Sequence, residues 1–135
     1  MYRQVSIVEL IKRIQERVEA GTGLRCYDVA PADARPPFFV VELVGSRPAD
    51  TKRMYVQDYV VNLHCISPDL PSSVPVLKMI QRLQEAMTED VALPEPFQML
   101  LQTNGGLSQV YQEETGERHA VIPFTFKIVY GFKCK

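Results

Sequence analysis

The fold is decided by the segment that reads Cys26-Tyr-Asp-Val-Ala-Pro-Ala-Asp-Ala-Arg-Pro-Pro-Phe-Phe-Val-Val-Glu-Leu-Val44. Its two ends are rich in residues that favour strands, whereas the prolines between them interrupt regular backbone hydrogen bonding. We therefore expect a short strand at about residues 24–29, an extended loop, and a second strand from Phe38 to Val44.

An amphipathic helix is expected on each side of this segment. Ser6 and Glu9 have the spacing of a capping box, and apolar residues recur after them at helical spacing. We expect Gly21 to end this first helix with a positive φ angle. A second helix is predicted at about residues 74–90, with Ser73 as its cap. Its expected buried stripe consists of Val76, Leu77, Ile80, Leu83 and Met87.

The remaining strands are predicted from apolar alternation and turn signals. Residues 45–53 combine turn formers with charges and predict a hairpin loop, which we expect to be the most mobile internal segment. A strand follows and ends at residues 64–67. An Asn104-Gly105-Gly106 signal predicts a turn between two further strands. The last strand alternates from Ile122 to Phe132, and Pro123 indicates an edge or a bulge near its beginning.

This order of elements, αβββαβββ, predicts an α+β fold with a mainly antiparallel sheet and two helices packed against it. Residues 1–135 are predicted to form a single domain, because a chain of this length can bury one core without a metal or a disulfide.

The order of these segments resembles the tail-completion and tail-terminator proteins of phages and prophages. In that family a first helix is followed by a short strand with a Tyr-Asp-like pair, a proline-bearing loop and a Pro-Phe/Tyr-Val-Val strand. The resemblance continues through His64-Cys65-Ile66-Ser67 and the closing segment from His119. Glu42 and the ending Tyr-Gly-Phe-Lys-Cys-Lys depart from the pattern. The residues that fit it are Tyr27, Asp28, Pro31, Asp33, Pro37, Phe38, Val40 and Val41.

Bulk properties narrow the class of partner. With a net charge of -1, the chain lacks the basic excess of a domain that binds phosphates. We therefore expect no specific nucleic acid among its partners. The apolar runs are too short to span a membrane. Cys26, Cys65 and Cys134 are odd in number, and the N-terminus lacks a signal-peptide pattern, which favours a reducing cytosolic setting.

No residue pattern predicts catalysis, a metal or a cofactor. His64 and Cys65 are neighbours in a strand, so their side chains point to opposite faces and cannot converge on one substrate or ion. We expect Cys65 in the core and His64 on the other face. His119 lies at the start of a strand, and a zinc site built from it would need His64 and a cysteine to meet across the fold. The protein is expected not to be an enzyme.

A basic cluster is the candidate contact for a partner. Arg47, Lys52 and Arg53 lie in the predicted loop, where they would meet an acidic surface or simply remain solvated. Val56, Val60 and Ile66 are expected on the sheet face opposite the core, where a helix or a neighbouring subunit would have to cover them.

The resemblance implies a non-enzymatic structural role. Such proteins form homo-oligomeric rings, commonly hexamers, that cap the tail tube and join it to the head connector. The protein would then occupy the virion tail, or the host cytoplasm during assembly. The alternative is a cytosolic binding module that adds a partner strand to its sheet edge. A small hydrolase that uses Cys65 or His64 is a third possibility, without support from any triad-like pattern.

Overall fold

A computed structural model describes residues 2–133, so Cys134 lies outside the described residues. The elements follow the order αβββαβββ, which confirms the predicted α+β fold. The elements are α1 (Ile7–Thr22), β1 (Cys26–Tyr27), β2 (Phe38–Pro48), β3 (Met54–Ser67), α2 (Val74–Ala86), β4 (Gln98–Asn104), β5 (Gln109–Gln112) and β6 (Arg118–Phe132).

The strands form one sheet in the order β1-β2-β3-β6-β4, and β5 also pairs with β6. Every pairing is antiparallel except that of β1 with β2, which is parallel and involves only Phe39 and Val40 of β2. The long strands β3 and β6 lie in the middle of the sheet. The sheet therefore has β2 near one edge, and β4 and β5 at the other.

Both helices pack on the same face of the sheet. Leu10, Ile14 and Val18 of α1 are fully buried, as expected from their helical spacing. They meet the alternate residues of β3 and β6 that point to this face. We call the opposite side of the sheet, on which neither helix packs, the helix-free face. The core joins both helices to the sheet through residues that include Val76, Leu83, Phe39, Val61, Leu63, Cys65, Ile122, Phe124 and Phe126.

Helix α1 begins as predicted but ends later. The hydroxyl of Ser6 accepts a hydrogen bond from the backbone N–H of Glu9 at 3.4 Å, which confirms the cap. Gly21, predicted to end the helix, lies inside its last turn. Gly23 ends it instead, with φ of 76° and its N–H donating to the carbonyl of Glu19 at 2.9 Å.

Helix α2 begins at Val74 as predicted but ends earlier. It stops at Ala86 rather than near residue 90, and Ser73 occupies the N-cap position without a side-chain capping hydrogen bond. Leu77 was predicted to be buried but is 50% exposed, and Met79 lies in the core instead. The other four residues of the expected stripe are buried as predicted, because this face meets both α1 and the sheet; they are Val76, Ile80, Leu83 and Met87.

Strand β2 extends through half of the predicted loop. Residues 45–48 pair with β3, and only residues 49–53 form the turn. That turn is held by hydrogen bonds from Ala49 N–H to the carbonyl of Val56 (2.8 Å) and from Val56 N–H to a carboxylate oxygen of Asp50 (2.8 Å). The predicted boundaries were wrong because turn formers in a sequence do not exclude strand pairing when a long partner strand is available.

The predicted turn separates strands β4 and β5, but the two strands do not pair with each other. Both pair with β6 and follow one another along the same edge, because the length of β6 offers partners to each. The backbone N–H of Gly105 donates to the carbonyl of Pro123, and that of Ser108 to the carbonyl of Val121, each at 2.8 Å. These bonds hold both ends of the turn against β6. Pro123 thus lies within a central strand, and its missing N–H falls opposite this irregular stretch.

The alternation of β6 breaks near its end. A bulge at Tyr55 and Val56 in the pairing of β3 with β6 leaves Tyr130 without an opposite residue. Beyond this bulge, Phe132 is 47% exposed, although the alternation places it on the same face as Ile122.

Candidate assembly surfaces

The first candidate surface is the outer edge of β2. Strand β1 pairs only with Phe39 and Val40, so no strand within residues 2–133 pairs with the outer side of β2 from Val41 to Pro48. A bulge at Val44 interrupts this edge, and the Val44 side chain is 56% exposed. Unpaired backbone groups on such an edge can accept another strand.

The second candidate surface is the opposite edge, formed by residues 98–112. This segment contains no charged residue. Its exposed apolar side chains include Leu101 (55%), Leu107 (47%) and Val110 (45%). Edge strands are usually protected by charges, and here a bulge at Leu100 is the main interruption. An uncharged apolar edge of this kind favours burial against a partner.

The turn at residues 104–108, which we call the kink, interrupts this edge between β4 and β5. The side-chain oxygen of Asn104 accepts a hydrogen bond from Gly106 N–H at 2.8 Å. Gly106 has φ of 87°, a conformation that favours glycine. These two features fix the backbone that carries Leu107, so the exposed leucine is presented on a defined turn.

A groove lies beside the edge of β2. It has a volume of about 470 Å³ and opens between the first turns of α1 and the edge strand. Val8 and Val29 at its rim are 81% and 78% exposed. Helix and edge strand together thus form a concave, mainly apolar surface next to unpaired backbone groups, and its polar lining consists of Lys12, Gln15, Asp28 and Glu42. The apolar lining consists of Ile7, Val8, Ile11, Val29, Val41 and Leu43.

The predicted basic residues are close in sequence but differ in setting. Arg47 lies in β2, with its side chain 80% exposed and its Nε 3.8 Å from a carboxylate oxygen of Asp58. Lys52 and Arg53 lie in the following turn and are exposed, and neither forms an ion pair with another described residue. All three are therefore accessible on the β2 side of the sheet.

The helix-free face holds a buried carboxylate. Asp58 is only 5% exposed, and its Oδ1 lies 3.2 Å from the Nζ of Lys127 without the geometry of a hydrogen bond. Arg47 approaches the other oxygen. The contact is best described as an ion pair with two cations, which compensates the cost of burying the charge.

Apolar residues on the same face are covered by the chain itself. Val56 is 0% exposed and Ile66 6%, although Val60 is half-buried. The expectation that these residues require a helix or a neighbouring subunit is therefore wrong for Val56 and Ile66. They pack with Val129 and Phe38, which are their cross-strand neighbours.

The two histidines do meet across the fold. The ring centroids of His64 and His119 are 6.1 Å apart, and each ring contacts a carboxylate. His64 Nε2 lies 2.9 Å from Glu42, and this hydrogen bond is the main cause of a lowered pKa of Glu42. His119 Nδ1 lies 2.6 Å from Glu113. Sequence reasoning missed this pairing because it depends on the register of β3 with β6.

Cys65 lies on the opposite face, as the strand alternation predicts. It is fully buried in the core, and burial raises its pKa to about 12. Burial likewise raises the pKa of Cys26 to about 12, with a further contribution from Glu19. Neither thiol is available as a nucleophile. Within residues 2–133, no three histidine, cysteine or acidic side chains are placed to bind one metal ion.

The sequence matches, over residues 1–135, the family described as "Putative tail termination protein". The chain belongs to this phage tail terminator family. Membership places it among the structural proteins of phage tails, a family that is not an enzyme class, and confirms the family to which its sequence pattern pointed. A search of curated proteins finds no match.

A solved structure shares the fold of this tail terminator family member. It is a chain from the "Virion of native gene transfer agent (GTA) particle", with a TM-score of 0.69 and 15% sequence identity. The alignment covers 96% of this chain and 100% of that chain. At this identity the likeness concerns the fold. None of the described helices has the length and apolarity needed to cross a membrane.

The groove and the kink are the surfaces that sequence reasoning missed in this tail terminator. The groove is formed by residues that are distant in sequence, so no local pattern predicts it. The edge that contains the kink is indicated by the sequence, because residues 98–112 combine strand formers with a complete absence of charge. That absence is unusual for an edge and could have marked it as a contact surface.

Proposed function

We propose that this protein forms a homo-oligomeric ring, with a hexamer as the proposed size, that caps the head-proximal end of a phage or prophage tail tube and joins it to the head connector. Its role is structural and non-enzymatic. Membership of the tail terminator family supports this proposal. The likeness of its fold to a chain of a gene transfer agent virion is consistent with the same class of particle.

The direction of the two sheet edges is the observation that carries the ring. Each of the pairings from β2 through β3 and β6 to β4 is antiparallel, so β2 and β4 run in opposite directions. A second copy related by rotation about an axis that runs along the strands therefore places its β2 antiparallel to β4 of the first. Repetition of this head-to-tail contact closes a ring, and closure removes both edges.

The two edges also lie at the same level of the sheet. The register places Gly45 of β2 on the same row as Thr103 of β4. Pro48 lies on the same row as Met99. Subunits that stand at equal height in a ring would therefore bring the free part of β2 opposite β4.

The basic residues Arg47, Lys52 and Arg53 serve, in this proposal, as contacts for an acidic partner surface. Their accessibility supports this role, as does the absence of ion pairs of Lys52 and Arg53 with other described residues. The tail tube protein and the connector proteins are the proposed further partners. Assembly takes place in the host cytoplasm, and the protein remains in the virion tail.

Solution mass and particle imaging test the proposal. Light scattering over a range of concentrations, with and without purified tail tubes, should reveal a closed oligomer. Electron microscopy of tailed particles should find the protein at the head-proximal end of the tail. Its absence from that end, together with normal tails when its gene is deleted, would refute the assignment.

A strand-binding module is the second candidate function. The groove beside the free edge of β2 favours it, because an extended peptide could add to the edge while its side chains enter the groove. A protein that remains monomeric with tubes present, but binds an extended peptide at β2, would support this alternative.

A further inference from the structure

We infer that the kink of one copy docks into the groove of the next copy, with Leu107 as the anchoring side chain. This inference rests on the proposed ring and specifies its subunit contact. The partner is a second copy of this chain, because the kink and the groove lie on opposite edges of the same sheet.

The level of the two features supports this contact. Gly105 donates to the carbonyl of Pro123, and the register places Pro123 on the same row as Glu42. Glu42 lines the groove, between Val41 and Leu43. A neighbour at equal height therefore presents its kink directly to the groove. No change in the height of the subunits is required.

The chemistry of the two surfaces is also matched. Leu107 is 47% exposed on an edge without charges, and six of the ten residues that line the groove are apolar, with exposed valines at its rim. Docking would remove apolar surface from water on both copies, which favours association. A cavity of roughly 150 Å³ already holds a benzene ring, so a groove of about 470 Å³ accommodates a leucine side chain.

Charges beyond the end of the two edges are complementary. Lys52 and Arg53 lie in the turn that follows β2, and Glu95 is exposed in the segment that precedes β4. Because Pro48 and Met99 share a row, both segments lie beyond the same end of the sheet. In the docked pair, Glu95 of one copy faces the basic turn of the next. The contact thus gives these basic residues an acidic partner.

The bulges limit the backbone pairing that accompanies this contact. Each edge carries one bulge, at Val44 and at Leu100, so a continuous ladder between the copies cannot run the full length of either strand. Side-chain docking at the kink must therefore contribute most of the specificity. This makes Leu107 the position at which a substitution should have the largest effect.

Charge substitutions test the anchor. Leu107→Asp and Val8→Asp should each weaken assembly by at least about tenfold, as expected for the loss of a central contact. Leu70→Asp is the matched control, because Leu70 has a similar exposure of 45% but lies between β3 and α2. Val8 is in the first turn of α1, where an acidic residue favours the helix, so the fold should be retained.

Cross-linking tests the geometry directly. Leu107→Cys and Val8→Cys proteins, both in a Cys134→Ser background and with different tags, are mixed and allowed to assemble. A short thiol cross-linker should join one of each, whereas Leu107→Cys mixed with Leu70→Cys should give no such product. Cys26 and Cys65 are buried and do not compete.

The outcomes separate this inference from the ring itself. Rings that form normally from Leu107→Asp, without the specific cross-link, would overturn the kink contact and leave the proposed function intact. Leu107→Asp rings that fail only to attach to tail tubes would assign the kink to the tube protein instead, which also overturns it. Failure of the unmodified protein to assemble even on tubes would overturn both.

Discussion

A Cβ atom placed on Gly21 of α1 would overlap the Cβ of Ala86 in α2 and lie 2.9 Å from its Cα. The two helices thus touch at a point where neither can carry a larger side chain. Gly21 is required for this close approach rather than for ending the helix.

Substitution of Gly21 by alanine should therefore destabilise the protein. Overpacking costs about 1 to 3 kcal/mol, which should outweigh the gain of up to about 1 kcal/mol in helix propensity. We expect a lower free energy of unfolding in urea. Gly45→Ala is the control, because its Cβ would meet no atom within 4 Å. Recovery in the Gly21→Ala, Ala86→Gly double variant would assign the effect to the contact, and an unchanged Gly21→Ala protein would contradict it.

Cys65 should matter for stability only. Cys65→Ser places a hydroxyl in the apolar core and should cost about 1 to 3 kcal/mol if that hydroxyl stays unpaired. Cys65→Ala, which adds no polar group, should cost less, and His64→Ala should leave the core intact. Chemical denaturation of the three variants gives the comparison. Equal losses for serine and alanine would show that the hydroxyl finds a partner.

Thiol reactivity follows from the raised pKa values. Cys26 and Cys65 have pKa values of about 12 because they are buried, so at pH 8 almost no thiolate forms at either site. Iodoacetamide should modify at most one thiol per native chain, and all three in denaturant. Mass spectrometry of the labelled peptides identifies the sites. Rapid native labelling of Cys65 would indicate that the core opens.

The buried charge of Asp58 should depend on Lys127. Lys127→Met leaves the carboxylate with only the more distant Arg47. We expect the free energy of unfolding, measured in urea, to fall by about 1 to 3 kcal/mol. Lys12→Met, on the exposed side of α1, is the control and should have little effect. The double variant Asp58→Leu, Lys127→Met should recover much of the loss, since an apolar pair needs no compensation. No recovery would mean that the ion pair has a role beyond neutralising Asp58.

Stability should fall in acid partly through Glu42. The hydrogen bond with His64 lowers the pKa of Glu42 from its ordinary 4.5. Its contribution is therefore present above pH 4.5 and is lost as the pH falls through the lower, folded-state value. The difference in Tm between the wild type and Glu42→Gln should be small, because Glu42 is largely exposed. This difference in Tm should vanish in stronger acid, where Glu42 is protonated in both states. A difference that grows in acid would contradict the prediction.

Local patterns in the sequence determined the elements and their order. The Ser6 cap, the helical spacing of Leu10, Ile14 and Val18, and the alternation of β3 and β6 depend on neighbouring residues only. The resemblance to the tail terminator family also rests on short segments of this kind, so it could be recognised in the sequence. The opposite placement of His64 and Cys65 also follows from strand geometry alone.

Tertiary structure decided the features that depend on pairing between distant segments. The length of β6 places β4 and β5 on one edge rather than in a hairpin, and the register of β3 with β6 brings His64 to His119. The groove exists because α1 packs beside an edge strand that β1 covers only in part. Such relationships arise from the packing of the whole chain, because hydrogen-bonded register and helix contact are set by the sum of many distant interactions.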